Sequence, residues 1–375
     1  ILQGPPGTSK TYGVKEFLAM QAGLINHKGE KWDDDALNAR QLLTGNDEYV
    51  LPTKDVPQNN NVYWDIIQFH PSYTYEDFVR GISVSASDSN FTEITGDILE
   101  GVNAKYSLKM KQPTPVMYKT VNRTLGKMAK IARDYYNEDN PENSPKFYLV
   151  IDEINRANLA TVFGELIYAL EYRDSEVATP YSVGTDARLR IPSNLYIVGT
   201  MNTADKSIAS IDYAIRRRFL FFPVLPDIKV VYETVKFDWK SAIELKLFYI
   251  IEKMFDSYMN TDDYNRNDVQ IGHTYFLRKE EGAAAEDQMK NRFLYQVIPV
   301  IREYYNDGIL MDDIYGKEPS GYEKDCIQII KKMTNESDMD KLESMYSDIV
   351  AKLSNSDIEV GIKVALTEKK VLTEE

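Results

Sequence analysis

Two stretches of this chain bring together the residue types that phosphate chemistry needs. Gly4 to Thr11 reads Gly-Pro-Pro-Gly-Thr-Ser-Lys-Thr, one position away from the phosphate-loop pattern G-x-x-x-x-G-K-S/T. In such a loop the turn formed by Gly4, Pro5, Pro6, Gly7, Thr8 and Ser9 lets successive backbone N–H groups converge on a polyphosphate. The following helix adds its positive dipole end, the Lys10 ammonium reaches the β- and γ-oxygens, and the Thr11 hydroxyl is suited to ligate Mg²⁺. Ser9 stands where the pattern has its second glycine. Serine is small, and a right-handed helical conformation is expected for it there. The second stretch is Lys146 to Glu153, KFYLVIDE, an apolar strand that ends in two acids. Such a strand delivers Asp152 to Mg²⁺ and Glu153 to a water facing the γ-phosphate, as general base or as the group that orients the nucleophile. Two strand-end carboxylates facing water would carry no meaning alone. Downstream of a phosphate loop they become the hydrolytic half of one site.

A third and a fourth group follow. Arg190 to Met201 is expected to be another buried strand, ending at Asn202-Thr-Ala-Asp205. Two readings compete for this tetrad: an aspartate that reads a guanine edge, or Asn202 as a polar sensor holding the attacking water and a γ-oxygen. Ligands of open α/β sheets gather outside the carboxyl ends of the strands. A strand beside the phosphate-loop strand would therefore end over the γ-phosphate, which favours the sensor. Ser207 to Phe222 is expected to form a short helix bearing Arg216, Arg217 and Arg218 and then an aromatic strand. The planar, permanently charged guanidinium suits the charge that develops in phosphoryl transfer. At the rim of a domain these arginines would reach a nucleotide held by the adjacent subunit, and structural ion pairs are the alternative for any one of them.

These groups must be positioned by elements the sequence also announces. Tyr12 to Ala22 is expected to be the helix behind the phosphate loop, and Asn61 to His70 (NVYWDIIQFH) a buried strand. Trp32 to Gln58 reads as a polar insertion or long loop, and Tyr73, Tyr75 and Phe78 as packing residues of the loop that follows the second strand, with a contact surface for a neighbouring subunit as the alternative. Residues 101–133 hold Lys105, Lys109, Lys111, Lys119, Arg123, Lys127, Lys130 and Arg133 and no acid. The spacing of Lys119, Arg123, Lys127 and Lys130 predicts one helical face, opposite Val121, Leu125, Met128 and Ala132. Asn155 to Tyr172 is expected to continue as one helix, with Leu159, Phe163, Leu166 and Leu170 inward. Beyond Pro226 the spacing of Ile243, Leu247, Ile250, Met254 and Tyr258, and of Met289, Phe293, Val297, Ile301 and Tyr304, predicts long helices around Val269-Gln-Ile-Gly-His-Thr-Tyr-Phe276. His273 reads as a hydrogen-bonded packing histidine.

The 375 residues carry a formal charge of −14, so any nucleic-acid contact should be local or belong to another polypeptide. One cysteine, Cys326, rules out an internal disulfide and suits a reducing cytoplasm. The longest apolar runs are far too short to span a bilayer, so no membrane partner is expected. Only Ile1 and Leu2 precede Gln3 and the phosphate loop, so an upstream segment, with any targeting domain it carries, is expected to be missing.

Taken in order, GPPGTSKT, FHPSYTYEDFVRGI, VIDEINRANLATVFGEL, GTMNTADKSIASIDYAIRRRF and QIGHTYFL resemble one family, McrB, the AAA+ nucleotidase subunit of modification-dependent restriction systems. The likeness covers residues 1–310, and the MNTAD block running into DYAIRRRF is its most specific part. The resemblance implies an α/β AAA+ P-loop fold, with a parallel sheet of order 5-1-4-3-2 flanked by helices and followed by a small helical lid. It divides the chain into residues 1–226, the nucleotide-binding domain, 227–311, the lid, and 312–375, a helical extension without an assigned role. It further implies Mg²⁺-dependent hydrolysis of GTP, with ATP the other purine triphosphate to consider, by a homo-hexameric ring. That ring would translocate duplex DNA for a McrC-like endonuclease subunit. Carried over by position, Gly4 to Thr11 bind phosphates and Mg²⁺, and Asp152 and Glu153 serve metal and water. Asn202 senses the γ-phosphate, and Arg217 and Arg218, with Arg216, act in trans. Ser9 departs from the family's usual glycine. A MoxR-like ATPase that remodels protein complexes and a nucleotide-gated assembly scaffold are the alternatives.

Overall fold

The computed structural model describes residues 1–25, 32–42, 61–86, 91–97, 105–111, 116–181, 188–205, 211–235, 239–319, 321–354 and 356–369. Five strands form the central sheet: β1 (Leu2–Gly4), β2 (Val62–Gln68), β3 (Lys146–Asp152), β4 (Leu195–Asn202) and β5 (Phe222–Pro223). Their order across the sheet is β5-β1-β4-β3-β2, the 5-1-4-3-2 arrangement that the resemblance implies. β1 runs parallel to both β4 and β5, and β2 parallel to β3. The near-continuous apolar runs in β2 and β3 are what a strand covered on both faces requires; Phe147, Leu149, Val150 and Ile151 are buried.

The chain forms two compact units. One comprises Ile1–Glu16, Gly199–Ile208 and Leu220–Glu375; the other comprises Phe17–Val198 and Ala209–Phe219. In the second, an antiparallel pair, Arg80–Ala86 with Val116–Asn122, lies between β2 and β3 in sequence. Lys119 therefore sits on a strand, directly opposite Ser83, and not on the helical face its spacing predicts. Val116, Thr120 and Val121 supply the β-branched content that favours an extended chain, and the helix begins only at Thr124, after Arg123. Phe91–Asp97 pairs antiparallel with Lys105–Lys111, with Lys109 in register with Glu93 and Lys105 with Asp97.

Two other expectations change. Within Trp32–Gln58, Asp34–Asn38 form a helix with Asp33 as its N-cap, and Trp32, Leu37 and Leu42 are buried; residues 43–60 lie outside those described. The predicted Asn155–Tyr172 helix is broken into a 3₁₀ turn (Ile154–Arg156) and two short helices, Leu159–Phe163 and Leu166–Glu171. The break falls at Gly164, whose φ of 50° takes it out of the right-handed region and leaves its α-face against the Tyr75 ring. Tyr75 and Phe78 are buried, and Phe69, Tyr73, Phe78 and Phe163 form a chain of edge-on and tilted ring contacts.

In the first unit the helix Ile243–Tyr258 is central. Ala283–Arg292 and Ile298–Asn306 are joined through a π-helical turn at Phe293–Val297. The helices Gly321–Thr334, Met339–Leu353 and Ser356–Glu368 contribute Ile327, Ile330, Ile349, Leu353, Ile362 and Leu366 to the same core as Leu247, Phe248, Phe255 and Phe293. Residues past 312 thus build the hydrophobic interior around Ile243–Tyr258. That interior also encloses an ion pair: Arg278 donates to both oxygens of the buried Glu244 carboxylate, at 2.9 and 3.0 Å.

Candidate functional site

The phosphate loop leaves the sheet at Gly4 and enters the helix α1 (Lys10–Gln21), whose first backbone bond runs from Gly13 N–H to the Ser9 carbonyl at 2.8 Å. Gly4 is demanded by packing, since a Cβ there would lie 2.1 Å from the Val224 carbonyl oxygen. The loop turns through two left-handed residues, Gly7 at φ 75° and Ser9 at φ 62°. Ser9 is therefore left-handed and not right-handed as its size suggests. The pattern puts glycine at this position because the turn requires positive φ, and serine accepts the geometry at a steric penalty. Buried Thr8 closes the turn by donating to the Pro5 carbonyl at 3.0 Å. The Lys10 ammonium lies in the concavity of the loop and donates to the carbonyls of Gly4 (3.0 Å) and Pro5 (2.8 Å).

Strand β4 brings Asn202 alongside: it is the register partner of Gly4, and the next residue, Thr203, donates its N–H to the Gly4 carbonyl at 3.1 Å. The Asn202 side-chain oxygen accepts from Ala204 N–H at 3.3 Å, and the Thr203 hydroxyl donates to the Asp268 carbonyl at 2.7 Å. From the other side the segment Gly272–Tyr275 lies against the loop. Gly272 N–H donates to the Pro6 carbonyl (3.0 Å) and Thr274 N–H to the Gly7 carbonyl (2.9 Å). A Cβ on Gly272 would be 2.0 Å from Gly7 backbone, and one on Gly7 would be 2.6 Å from the Tyr275 ring. Between these two bonds His273 is buried and its Nε2 lies 3.1 Å from Ser9 Oγ. This is the packing histidine that the sequence suggests.

The other unit holds the acids. Asp152 ends β3 opposite Gln68, and its carbonyl accepts from Phe69 N–H at 3.0 Å. Glu153 follows at φ 53° and caps the 3₁₀ turn Ile154–Arg156. A non-glycine residue held left-handed stores strain of about 1–3 kcal/mol, a condition that recurs at functional sites. Its carboxylate lies 3.5 Å from Arg156 Nε. The arginines occupy the same unit, on and after the helix Tyr213–Arg216, which Asp212 caps through Ile215 N–H at 2.8 Å. They are not equivalent. Arg218 is 9% exposed, ion-paired with Glu171 and donating to the Ala214 carbonyl at 2.6 Å, whereas Arg217 is 66% exposed and 3.4 Å from Glu171. Arg216 is exposed on the same turn, next to Tyr213, which is 89% exposed.

Within the first unit the loop offers backbone N–H groups, the Lys10 ammonium and the Thr11 hydroxyl, donors of the kind a polyphosphate and its Mg²⁺ take; within the second, Asp152 offers a carboxylate, a hard oxygen ligand. A phosphate loop on the first strand of a 5-1-4-3-2 parallel sheet, with an acidic strand end and helices carrying a cap of their own core, defines an AAA+ nucleoside triphosphatase. The comparisons with known proteins narrow this. Residues 58–219 match the AAA domain of the dynein-related subfamily, and residues 259–311 match the alpha-helical lid domain of McrB. The McrB subunit of the type IV methyl-directed restriction enzyme EcoKMcrB of Escherichia coli K12 is 28% identical over 328 residues, 82% of this chain and 54% of that protein. Component YdiS of the type II restriction enzyme BsuMI of Bacillus subtilis 168 is 29% identical over 170 residues, 41% of this chain and 46% of that one. The two domain matches and the identity over 82% of this chain support an AAA+ protein of the McrB kind, and the chain spans about half the length of the curated relatives it matches.

Proposed function

We propose that this chain hydrolyses GTP, in preference to ATP, at the interfaces of a homo-hexameric ring, and that the ring drives duplex DNA toward a McrC-like endonuclease subunit in restriction of modified DNA. The reading of the site rests on one observation above all: a strand–loop–helix unit turning through left-handed Gly7 and Ser9, with the Lys10 ammonium seated on loop carbonyls. Those carbonyls exchange readily for phosphate oxygens, to which a charge-assisted bond is the stronger one. GTP, the ring and the nuclease partner are supported by the likeness to McrB. The restriction role is supported by a relative named as a methyl-directed restriction enzyme. Among the described residues no helix is long and apolar enough to cross a membrane, and we assign the protein to the cytoplasm.

In this reading Lys10 and the loop amides neutralise and align the phosphates. Mg²⁺, held by Thr11 and Asp152, supplies further charge neutralisation when bound. Glu153 orients the attacking water and takes its proton. Asn202, whose side-chain oxygen is engaged by Ala204 N–H, presents its NH₂ end toward a γ-oxygen. Arg217 reaches the nucleotide of the neighbouring subunit, and Arg218, fixed to Glu171 and Ala214, stiffens the turn that aims it. Positioning and electrostatics then supply the rate, with no covalent intermediate. The direct test is phosphate release from GTP and from ATP by the purified assembly, with and without duplex DNA. Faster GTP turnover supports the assignment; ATP preference with no response to DNA would favour a MoxR-like remodeller. Binding without turnover in the wild-type protein would leave an assembly scaffold.

A further inference from the structure

The Ser9 hydroxyl and the His273 ring meet in the middle of a short ladder. Gly272 N–H to the Pro6 carbonyl lies on one side of them and Thr274 N–H to the Gly7 carbonyl on the other. The imidazole is fixed at its far end as well, since Nδ1 accepts from Asp227 N–H at 3.3 Å. With Nδ1 engaged as acceptor, the proton of the neutral ring resides on Nε2, and that N–H donates to Ser9 Oγ. Burial pushes His273 down to about 4, against a smaller opposing effect of Asp227, so the ring is neutral near neutrality and the tautomer holds. Asp227 opens the helix Ile228–Val235, and its carboxylate accepts from Lys229 N–H at 3.0 Å and lies 3.9 Å from Lys369 at the end of the last helix. The chain of contacts thus runs from the last helix, through Asp227 and His273, to the one phosphate-loop side chain that replaces a glycine.

A left-handed serine is strained relative to glycine, so its presence needs a return. We propose that the Ser9–His273 hydrogen bond is a latch that ties the conformation of the phosphate loop to the position of the Gly272–Tyr275 segment, making His273 and Ser9 positioning residues for the bound nucleotide. This rests on the nucleotide-site reading above. When the latch is made, the loop is held in the left-handed turn that directs its N–H groups inward. When the segment withdraws, Ser9 loses its partner, the strained turn relaxes, and the phosphates are released. A glycine at the same position would hold its turn whether or not the segment was in place. The serine therefore makes nucleotide residence conditional on the helical unit.

The test uses the full chain and two readouts. In the absence of nucleotide, hydrogen exchange of the peptide covering residues 4–13 is expected to rise severalfold in His273→Leu and Ser9→Ala, and to return toward wild type in His273→Gln, whose amide keeps a donor near the Nε2 position. Dissociation of N-methylanthraniloyl-GDP and -ADP is expected to speed up about fivefold in His273→Leu, the size of one lost neutral hydrogen bond. In the Ser9→Gly background the same His273→Leu change should leave the dissociation rate unchanged, because a glycine there no longer senses residue 273. Strictly additive effects in that cycle, or unchanged exchange of residues 4–13 in His273→Leu, would overturn the latch. Failure of the wild-type chain to bind either nucleotide would refute the site reading instead, and the exchange measurement would still decide the latch.

Discussion

Replacing His273 with glutamine should change how the protein responds to acid, by an amount the structure sets. His273 is held neutral by burial, its pKa pushed down to about 4 from an unfolded value of 6.5. A group whose folded pKa is depressed contributes stability that is present above the unfolded pKa and is lost as pH falls from 6.5 toward 4. Between pH 8 and pH 5 that loss is about 2 kcal/mol. The same unit carries a group of opposite sense. Burial pushes the Glu252 carboxyl up to about 7 from 4.5, with Arg266 opposing, so its protonation in the folded state adds about 2 kcal/mol over the same interval. The wild-type protein therefore hides two large linkages that nearly cancel. In urea unfolding followed by far-UV circular dichroism at pH 8 and pH 5, His273→Gln is expected to gain about 2 kcal/mol on acidification relative to wild type, and Glu252→Gln to lose about as much. Every other titrating group drops out of that double difference. If both variants follow the wild-type pH dependence to within 0.5 kcal/mol, roughly the usual non-additivity, the burial argument for both groups is wrong.

Glu153→Gln is expected to bind nucleotide but to lose multiple-turnover phosphate release, whereas Glu153→Gly should also melt later because it relieves a left-handed residue, by about 1 kcal/mol; normal release by Glu153→Gln would refute the role. Gly4→Ala forces a Cβ against the Val224 carbonyl, and calorimetry should show a loss of about 1–3 kcal/mol together with weaker nucleotide binding. Arg217→Ala should reduce assembly-dependent turnover by about 10³-fold with an unchanged melting temperature, while Arg218→Ala should lower both, since Arg218 is largely buried on Glu171 and the Ala214 carbonyl. Arg278→Ala strands the buried Glu244 carboxylate and should destabilise the helical unit by about 3–5 kcal/mol, read as a lower urea midpoint at pH 8.

Local order made much of this legible. The phosphate loop is contiguous, so its residues and spacing announce it before any fold is known. Strands β2 and β3 are apolar enough to read as buried, and the helix Ile243–Tyr258 runs over the residues its spacing predicts. Periodicity failed where packing overrode it. The helical spacing of Lys119 with Arg123 is real in the sequence, yet Lys119 belongs to a strand because Arg80–Ala86 pairs with that stretch. The Leu159–Leu170 pattern suggests one helix, and Gly164 interrupts it against Tyr75.

What the sequence by itself determined is the kind of chemistry: an ammonium, a hydroxyl, two carboxylates, an amide and three guanidinium groups in family order, because motif residues carry their chemistry wherever they are placed. Only the tertiary structure decided that Ser9 is left-handed and met by His273, that Arg217 faces outward while Arg218 is tied down, and that the last three helices belong to the core around Ile243–Tyr258. Each of those depends on a partner far away along the chain. The energy of such contacts comes from burial and from a hydrogen bond between residues that no local pattern links.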